Sequence, residues 1–253
     1  MLIKPKVDIL PQGQKEIFPL LRQIPEHFVL YGGTAIALRF GHRESVDFDL
    51  FTTDQSIDLV TTGKNLPFMK QFEEEKKLLI KKHNDGHVDF IVSLYGEQVQ
   101  ISFINLPEII AGAVNSPDKM LGNNLRIASP VDLMAGKILA MHRRTDPKDY
   151  FDMYELVKRG VSLQKGYEAT YAIAKLSPKG TDKLLLQNLN AEFSSKTVKR
   201  IVAESDLPII SAKAEECFSV LSAAAKSISI EKIEKTRIRA QRPIATLKTS
   251  RSR

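Results

Sequence analysis

Apolar and polar residues over 28–51 follow a pattern that predicts a strand, a turn, a helix and a second strand. The apolar run 28–31 is short enough for a buried strand, and Gly32-Gly33 predicts the turn that ends it. Small apolar residues then recur with helical spacing. The second strand, at 46–51, is predicted from its strict alternation.

That alternation places two carboxylates side by side. Residues two apart on a strand share a face, so Asp47 and Asp49 project together, while Val46, Phe48 and Leu50 point into a core. Two carboxylates this close repel by about 3 kcal/mol at an effective dielectric near 20. A divalent cation offsets this repulsion, and Mg²⁺, or Mn²⁺ in its place, binds carboxylates together with substrate phosphates. The alternative is a solvated strand face paired with Arg39 or Arg43.

The glycine turn predicts a phosphate site opposite these carboxylates. Gly32 and Gly33 permit close backbone approach, and Thr34 lies where the helix is expected to begin. The N–H groups at a helix N-terminus bind anions. We therefore expect Gly32, Gly33 and Thr34 to bind nucleotide phosphates. An ordinary strand-to-helix turn is the alternative for the glycines.

Further along the chain, strands come first and helices alone follow. The predicted strands are 77–84, 87–95, 99–106 and 125–129, the first two joined by a turn at Asn84-Asp85-Gly86; a loop is predicted around 116–124. Helices are predicted at 14–24 (interrupted by Pro19), within 56–75, and at 130–143, 148–159, 164–176, 180–191, 195–205 and 211–226. Ser129 is the predicted N-cap of the 130–143 helix, and Gly160 the end of the next one.

This succession predicts an α/β (α+β) fold: a domain with a mixed sheet at 1–128, then a helical domain at 129–230 that completes a cleft. A basic, flexible tail is predicted at 231–253, where eight Lys/Arg face two Glu. The chain carries a net charge of +7, so nearly all of it belongs to this tail. Electrostatic contact with RNA phosphates is the alternative role of the tail.

Composition narrows the class of protein. With 253 residues that are 43% hydrophobic, the chain can bury a sizeable core. No apolar run approaches the roughly 18 residues that span a bilayer, and the N-terminus lacks signal-peptide features, so we expect no membrane partner. The single cysteine, Cys217, excludes an intrachain disulfide and is expected to be buried on a helix. A cytoplasmic location is therefore expected.

Two ordered motifs give the chain a resemblance to a known family. GG-T-A-x-A-L followed by H-R-x-S-x-D-F-D-L-F, and later R-I-A-S-P-V-D-L-M-A-G-K-I-L-A-M followed by K-D-Y-F-D-M-Y, resemble the AbiEii/AbiGii toxins of the nucleotidyltransferase fold. The resemblance covers about residues 28–158. It implies a Mg²⁺-dependent enzyme that uses an NTP, acts as the toxin of a toxin–antitoxin or phage-defence system, and has a cognate antitoxin as a partner.

The resemblance also implies roles for residues outside the first motif. Lys137 would contact nucleotide phosphate, although a charged residue among apolar neighbours can instead snorkel. A functional aspartate in the second block would be Asp149 or Asp152, which share a helix face. Helix capping is the alternative for Asp149. Within the first motif, Arg43 and Ser45 lie on the loop before the aspartate pair, where we expect them to contact phosphate or brace the pair. A surface ion pair is the alternative for Arg43.

A third metal-binding carboxylate is expected on a strand beside the aspartate pair. Asp89 fits this position, but the strand V-Q-I-S-F would put Ser102 there instead and leave two acidic ligands. His83 and His87 flank the predicted hairpin turn and are expected to be solvated.

These inferences predict a nucleotidyltransferase that moves a nucleoside monophosphate from an NTP to an RNA (such as tRNA) or protein acceptor. One alternative is an enzyme that modifies a small molecule such as an antibiotic. The other is a degenerate NTP- or RNA-binding regulator without catalysis.

Overall fold

A computed structural model describes residues 1–105, 116–141, 144–173, 196–229, 231–233 and 235, which surround an eight-stranded mixed sheet. The strands are β1 (Leu2–Ile3), β2 (Val29–Tyr31), β3 (Asp47–Thr52), β4 (Leu78–Asn84), β5 (His87–Leu94), β6 (Glu97–Asn105), β7 (Asp118–Met120) and β8 (Arg126–Ile127). Their order across the sheet is β1-β7-β8-β2-β3-β6-β5-β4. The predicted mixed sheet is confirmed.

Ten α-helices are assigned within the same described residues. They are α1 (Gln12–Ile17), α2 (Gly32–Phe40), α3 (Leu59–Lys64), α4 (Pro67–Glu74), α5 (Pro130–Met141), α6 (Pro147–Lys158), α7 (Leu163–Ile173), α8 (Lys196–Ala203), α9 (Pro208–Ser211) and α10 (Ala214–Lys226). The predicted helix at 180–191, the segment after Pro107 up to 115, and tail residues 236–253 lie outside the described residues.

Local signals in the sequence explain several element boundaries. The first helix ends at Ile17, and the chain continues through Pro19 as a 3₁₀ helix, since proline removes a backbone donor. The Ser129 hydroxyl accepts the N–H of Asp132, which confirms the predicted N-cap. Gly160 ends α6 with a φ of 83°, as glycine does at many helix C-termini.

The strands near the N-terminal edge of the sheet were not predicted correctly. Residues 118–120, expected in a loop, form β7, which pairs with β8 and with β1 at the N-terminus. These strands are two or three residues long, so no alternation of apolar and polar residues can develop in them. They form because a neighbouring strand offers hydrogen-bond partners.

The sheet positions the site through the pairing of β3. This strand is antiparallel to β2 and parallel to β6. Its apolar residues Phe48 and Leu50 are fully buried on one face, and the other face carries Asp47 and Asp49. The apolar core is continuous from these strand residues to the C-terminal helices, where it includes Tyr154. The proposed division into domains at residue 128 stays a prediction.

Helices α5 and α6 both contact α2, which carries the buried residues directly after the glycine turn. Helix α7 packs on α5, and α10 packs on α6 and α8. This packing places the start of α6 across from the polar end of β3. Cys217 on α10 is buried, as expected, and burial raises the pKa of its thiol to about 12.

Candidate active site

Asp47 and Asp49 line a cleft of about 260 Å³ between the N-terminal half of β3 and the start of α6. The other lining residues are Gly33, Arg43, Glu44, Ser45, Val46, Lys137, Arg144, Asp146, Lys148, Asp149 and Leu207. The cleft therefore brings together the predicted glycine turn, the predicted aspartate pair and the second motif. Strand β3 and helices α5 and α6 contribute to it from distant parts of the sequence.

The two glycines leave space for side chains of the same site. Gly32 has a φ of +75°, and a β-carbon there would collide with the carboxylate of Asp49. A β-carbon on Gly33 would lie 2.6 Å from Nη2 of Arg43 and 2.9 Å from Oγ of Ser45. The Gly32-Gly33 pair is therefore required for the carboxylate and the arginine to approach the backbone, apart from any contact with phosphate.

Neither carboxylate of the Asp47–Asp49 pair has a hydrogen-bond or ion-pair partner among the described residues. Burial, and next the negative charge of Asp47, raise the pKa of Asp49 from 3.8 to about 6. Burial also raises the pKa of Asp47, with Lys148 opposing the shift. Adjacent, partly buried carboxylates without a direct ion-pair partner are the donor set that a hard divalent cation neutralises.

Lys137 lies on the opposite wall and is paired with both aspartates of the second motif. Its Nζ lies 2.9 Å from Oδ1 of Asp149 and 2.6 Å from Oδ2 of Asp152. Burial alone would lower the pKa of Lys137, but the two carboxylates outweigh it and raise the pKa. Lys137 is 6% exposed, so it does not snorkel to solvent and stays charged inside the wall.

Asp152 lies behind this wall and is completely buried. Its carboxylate accepts hydrogen bonds from Nε and Nη2 of Arg43, both at 2.7 Å, and contacts Nε2 of His42 at 2.7 Å. The charge of Lys137, the contact with His42 and the paired Arg43 outweigh the effect of burial and lower the pKa of Asp152. Asp152 thus links the loop before β3 to α6. Arg43 forms a buried ion pair and not the surface ion pair that was its alternative.

Asp149 is also buried, but it faces the cleft. Besides Lys137, it accepts a hydrogen bond from Nε of Arg144 at 2.9 Å. Burial opposes the shift, yet the bonds from Arg144 and Lys137 lower the pKa of Asp149. Of the two candidates, Asp149 borders the cleft and Asp152 supports it from behind.

Thr34 and Ser45 differ in where their hydroxyls lie. Thr34 is fully buried, and its hydroxyl donates to the backbone oxygen of Asp47. The Thr34 side chain thus joins α2 to β3. The expectation that Thr34 binds phosphate, which rests on the N–H groups at the helix N-terminus, stays a prediction. Ser45 lines the cleft beside Gly33, where its hydroxyl is available to a ligand.

The structure assigns the strand beside β3 to Ser102 rather than to Asp89. In the sheet register Asp49 is opposite Ser102 on β6, and Ser102 is opposite Asp89 on β5. Asp89 thus lies one strand further away, where it accepts hydrogen bonds from Ser102 and lies within hydrogen-bond distance of His83 and His87. The expectation that Asp89 occupies the neighbouring strand is corrected, because β6 and not β5 pairs with β3.

Sequence reasoning missed three residues at or behind the cleft. Arg144 and Lys148 line it, but Asp146-Pro147 separates Arg144 from α6, so helical spacing does not link the two. His42 supports the cleft through Asp152, and its ring stacks on that of Phe151. Nothing local distinguishes His42, since both its contacts come from α6.

No helix in the described part of the chain is long and apolar enough to cross a bilayer.

Comparison with known proteins gives both a family and a fold. The family described as nucleotidyl transferase AbiEii toxin, type IV TA system, matches residues 20–220. An uncharacterized protein of Aquifex aeolicus is 26% identical over 132 residues, covering 52% of this chain and 58% of that protein. The chain therefore spans less than two thirds of that relative.

Two solved structures share the fold at low sequence identity. A putative nucleotidyltransferase from H. pylori superposes with a TM-score of 0.52 at 17% identity, covering 91% of this chain and 96% of that one. MenT4, a nucleotidyltransferase toxin from Mycobacterium tuberculosis, gives 0.55 at 13% identity, covering 93% and 92%. The predicted fold class is confirmed.

Proposed function

The chain belongs to the AbiEii family of nucleotidyl transferase toxins, and from this we propose that it transfers a nucleoside monophosphate from an NTP to a macromolecular acceptor. An acceptor hydroxyl attacks the α-phosphorus, a new phosphoester forms, and pyrophosphate leaves. The three phosphates of the NTP, two of which leave as pyrophosphate, must be held while negative charge shifts toward the leaving group. The cleft offers residues for each of these tasks.

One observation carries the proposal: two unpartnered carboxylates face a wall of cations across a cleft large enough for a triphosphate. Asp47 and Asp49 have no hydrogen-bond or ion-pair partner among the described residues, whereas the wall presents Arg144 and Lys148. If these carboxylates and cations served only stability, they would form ion pairs with one another. Their separation favours a ligand that carries both a dication and phosphate oxygens between them.

The donor set fits Mg²⁺ or Mn²⁺. Asp47 and Asp49 would hold the ion, because both are oxygen donors on one face of β3; burial raises the pKa of both, and the charge of Asp47 raises that of Asp49 further. Such an ion supplies Lewis-acid stabilisation of the phosphate oxygens and lowers the pKa of a bound hydroxyl. Ser102 on the neighbouring strand offers a hydroxyl rather than a carboxylate, so we propose a set with two protein carboxylates.

Phosphate binding is proposed for the residues that border the cleft. Gly33 offers a backbone N–H at the start of α2, and Ser45 a hydroxyl beside it. Arg144, whose side chain is 59% exposed, can turn part of its guanidinium toward phosphate while Asp149 holds Nε. Lys148 adds a second exposed cation.

Lys137, Asp149 and Asp152 are proposed to set the charge and shape of the wall. Lys137 supplies fixed positive charge near the transferring phosphate, and Asp149 positions Lys137 and Arg144. Asp152 positions Arg43 and Lys137 from behind. Lowered pKa values make both aspartates poor proton acceptors at neutral pH, so we assign neither as a general base.

The acceptor is proposed to be RNA, with tRNA as one class, or a protein, as befits a toxin with a cognate antitoxin. The family description and the net charge of +7 support this. A cytoplasmic location, where both acceptor classes occur, stays part of the proposal.

Labelled NTPs test the activity directly. The full chain is incubated with each α-labelled NTP and Mg²⁺, together with total RNA, total protein or a panel of small hydroxyl compounds. We expect label on RNA or protein, and its loss in Asp49→Asn. Label on small molecules alone would exclude the toxin mechanism in favour of a small-molecule transferase. No transfer to any acceptor, with NTP binding intact, would support a non-catalytic regulator.

A further inference from the structure

A second cluster of metal-binding side chains lies outside the cleft, on the β4–β5 hairpin. His83, His87 and Asp89 each offer one ligand atom, and these atoms lie within 4.8 Å of one another. The Nε2 atom of His83 is 2.6 Å from Oδ2 of Asp89, and that of His87 is 2.9 Å from Oδ1. The two histidines, expected to be solvated, are partly exposed and also contact this buried carboxylate.

Backbone geometry explains why these three residues converge. His87 and Asp89 are two apart on β5 and so share a face of the sheet. On β4, the register shifts between Lys82 and Asn84, and this irregularity redirects the intervening residue, His83. The imidazole rings then stack with centroids 4.4 Å apart and planes at 28°. Both rings direct Nε2 at the same carboxylate.

The carboxylate is itself held from the side of the sheet. Ser102 Oγ donates to Oδ1 of Asp89 at 2.8 Å, and Nε2 of Gln100 donates to Ser102 Oγ at 3.0 Å. Hydrogen-bonded partners of this kind orient ligands around metal ions in proteins. Asp89 is 4% exposed, so its position is determined by the sheet and not by solvent.

One side of the cluster remains open. The side chains of His83 and His87 are 32% and 33% exposed, which leaves room for water or a further ligand. Two imidazoles and one carboxylate with an open side suit a first-row transition metal, whereas Mg²⁺ prefers an all-oxygen set. An ion bound to both atoms at about 2.1 Å would lie between them, so the distance from each imidazole nitrogen to its carboxylate oxygen must increase by less than about 1 Å.

We propose that His83, His87 and Asp89 form a transition-metal site, with Zn²⁺ as the representative ion, separate from the cleft. Asp89 is two strands from Asp49 in the same row of the sheet, so their α-carbons are about 10 Å apart. The separation is too large for one ion to bridge both groups. The hairpin site therefore holds its own ion, on the sheet face that also carries the aspartate pair.

Zinc titration of the tag-free full chain tests the site. Isothermal titration with Zn²⁺ alone, and visible absorption with Co²⁺, are expected to show one ion per chain. His87→Gln and Asp89→Asn are each expected to weaken Zn²⁺ binding at least about 100-fold. His27→Gln, which removes a histidine elsewhere, is the matched control and leaves the affinity unchanged.

Ser102→Ala keeps all three ligands and is expected to weaken Zn²⁺ binding about tenfold, because it removes only a positioning hydrogen bond. This milder variant decides the question if the ligand variants fail to fold. Asp49→Asn separates the two sites: it is expected to abolish nucleotidyl transfer and to retain Zn²⁺ binding. Absence of Zn²⁺ binding, or unchanged affinity in Ser102→Ala together with His87→Gln, would show a hydrogen-bonded cluster without a metal role.

Discussion

Two pairs of aspartates lie at the cleft, one of them with Asp152 behind its wall, and their surroundings are opposite. Asp47 and Asp49 have no hydrogen-bond or ion-pair partners among the described residues, and their pKa values are raised. Asp149 and Asp152 are surrounded by cations, and their pKa values are lowered. Uncompensated charge is available to a ligand, whereas compensated charge holds the protein together. The same residue type is thus ion-paired on α6, whereas on β3 we propose that it binds a ligand.

The largest expected effect is on catalysis, in Asp49→Asn. The variant keeps the shape of the side chain and removes the charge that would hold the metal, so transfer should fall by about 10³-fold or more. Its free energy of unfolding should not decrease, because a repulsion is also removed. Rates with labelled NTP and urea denaturation measure the two effects.

Asp85→Asn, at the exposed hairpin tip, is the matched control and should keep both rate and stability. A rate near that of the wild type in Asp49→Asn would remove the distinction between the two pairs.

Asp152→Ala, unlike Asp49→Asn, should destabilise the folded protein. Removing the buried carboxylate leaves Arg43 without its ion-pair partner and Lys137 with Asp149 alone, which should reduce the free energy of unfolding by about 3–5 kcal/mol. Urea denaturation measures it. The loss should exceed that of Asp49→Asn by several kcal/mol; equal losses would contradict a structural role specific to Asp152.

The pH dependence of stability should have opposite signs for the two pairs. The pKa of Asp49 is raised from 3.8 to about 6, so its protonated form favours folding. Without metal, this contribution should be lost between about pH 4 and pH 6, by up to about 3 kcal/mol. Asp149 and Asp152, with lowered pKa values, instead contribute stability that is lost as the pH falls below about 4.

Thermal unfolding of wild type and Asp49→Asn across pH 4 to 8 isolates the Asp49 contribution as their difference. Mg²⁺ should stabilise the wild type more at pH 7.5 than at pH 5, because it binds the ionised carboxylates. If the difference in stability between wild type and Asp49→Asn does not vary with pH, Asp49 is not buried against Asp47 as described.

The smallest effect is expected for Lys148→Gln. Loss of one exposed cation should raise the KM for NTP by about tenfold or less, with little change in stability. Steady-state kinetics measures it, Lys148→Arg should restore the KM, and Lys165→Gln, on an exposed site of α7, is the control. An unchanged KM in Lys148→Gln would leave Arg144 as the phosphate-binding side chain of that wall.

Residues near one another in sequence were predicted well. The strand–turn–helix–strand stretch and the shared face of Asp47 and Asp49 follow from local backbone geometry. The same holds for the Ser129 cap and the Gly160 helix end, where the signal and its effect lie within a few residues. The short strands β1 and β7 were missed because they depend on a partner strand more than 100 residues away.

The sequence by itself determined that a same-face aspartate pair follows a glycine turn, and that the motifs resemble those of a nucleotidyltransferase family. Only the tertiary structure decided that Ser102 takes the place beside Asp49, that Asp152 supports the wall from behind, and that two histidines converge on Asp89. Strand order and helix packing join residues far apart in the chain, and periodicity carries no information about such pairings. Whether a carboxylate forms an ion pair depends on the cationic side chains that the fold brings next to it.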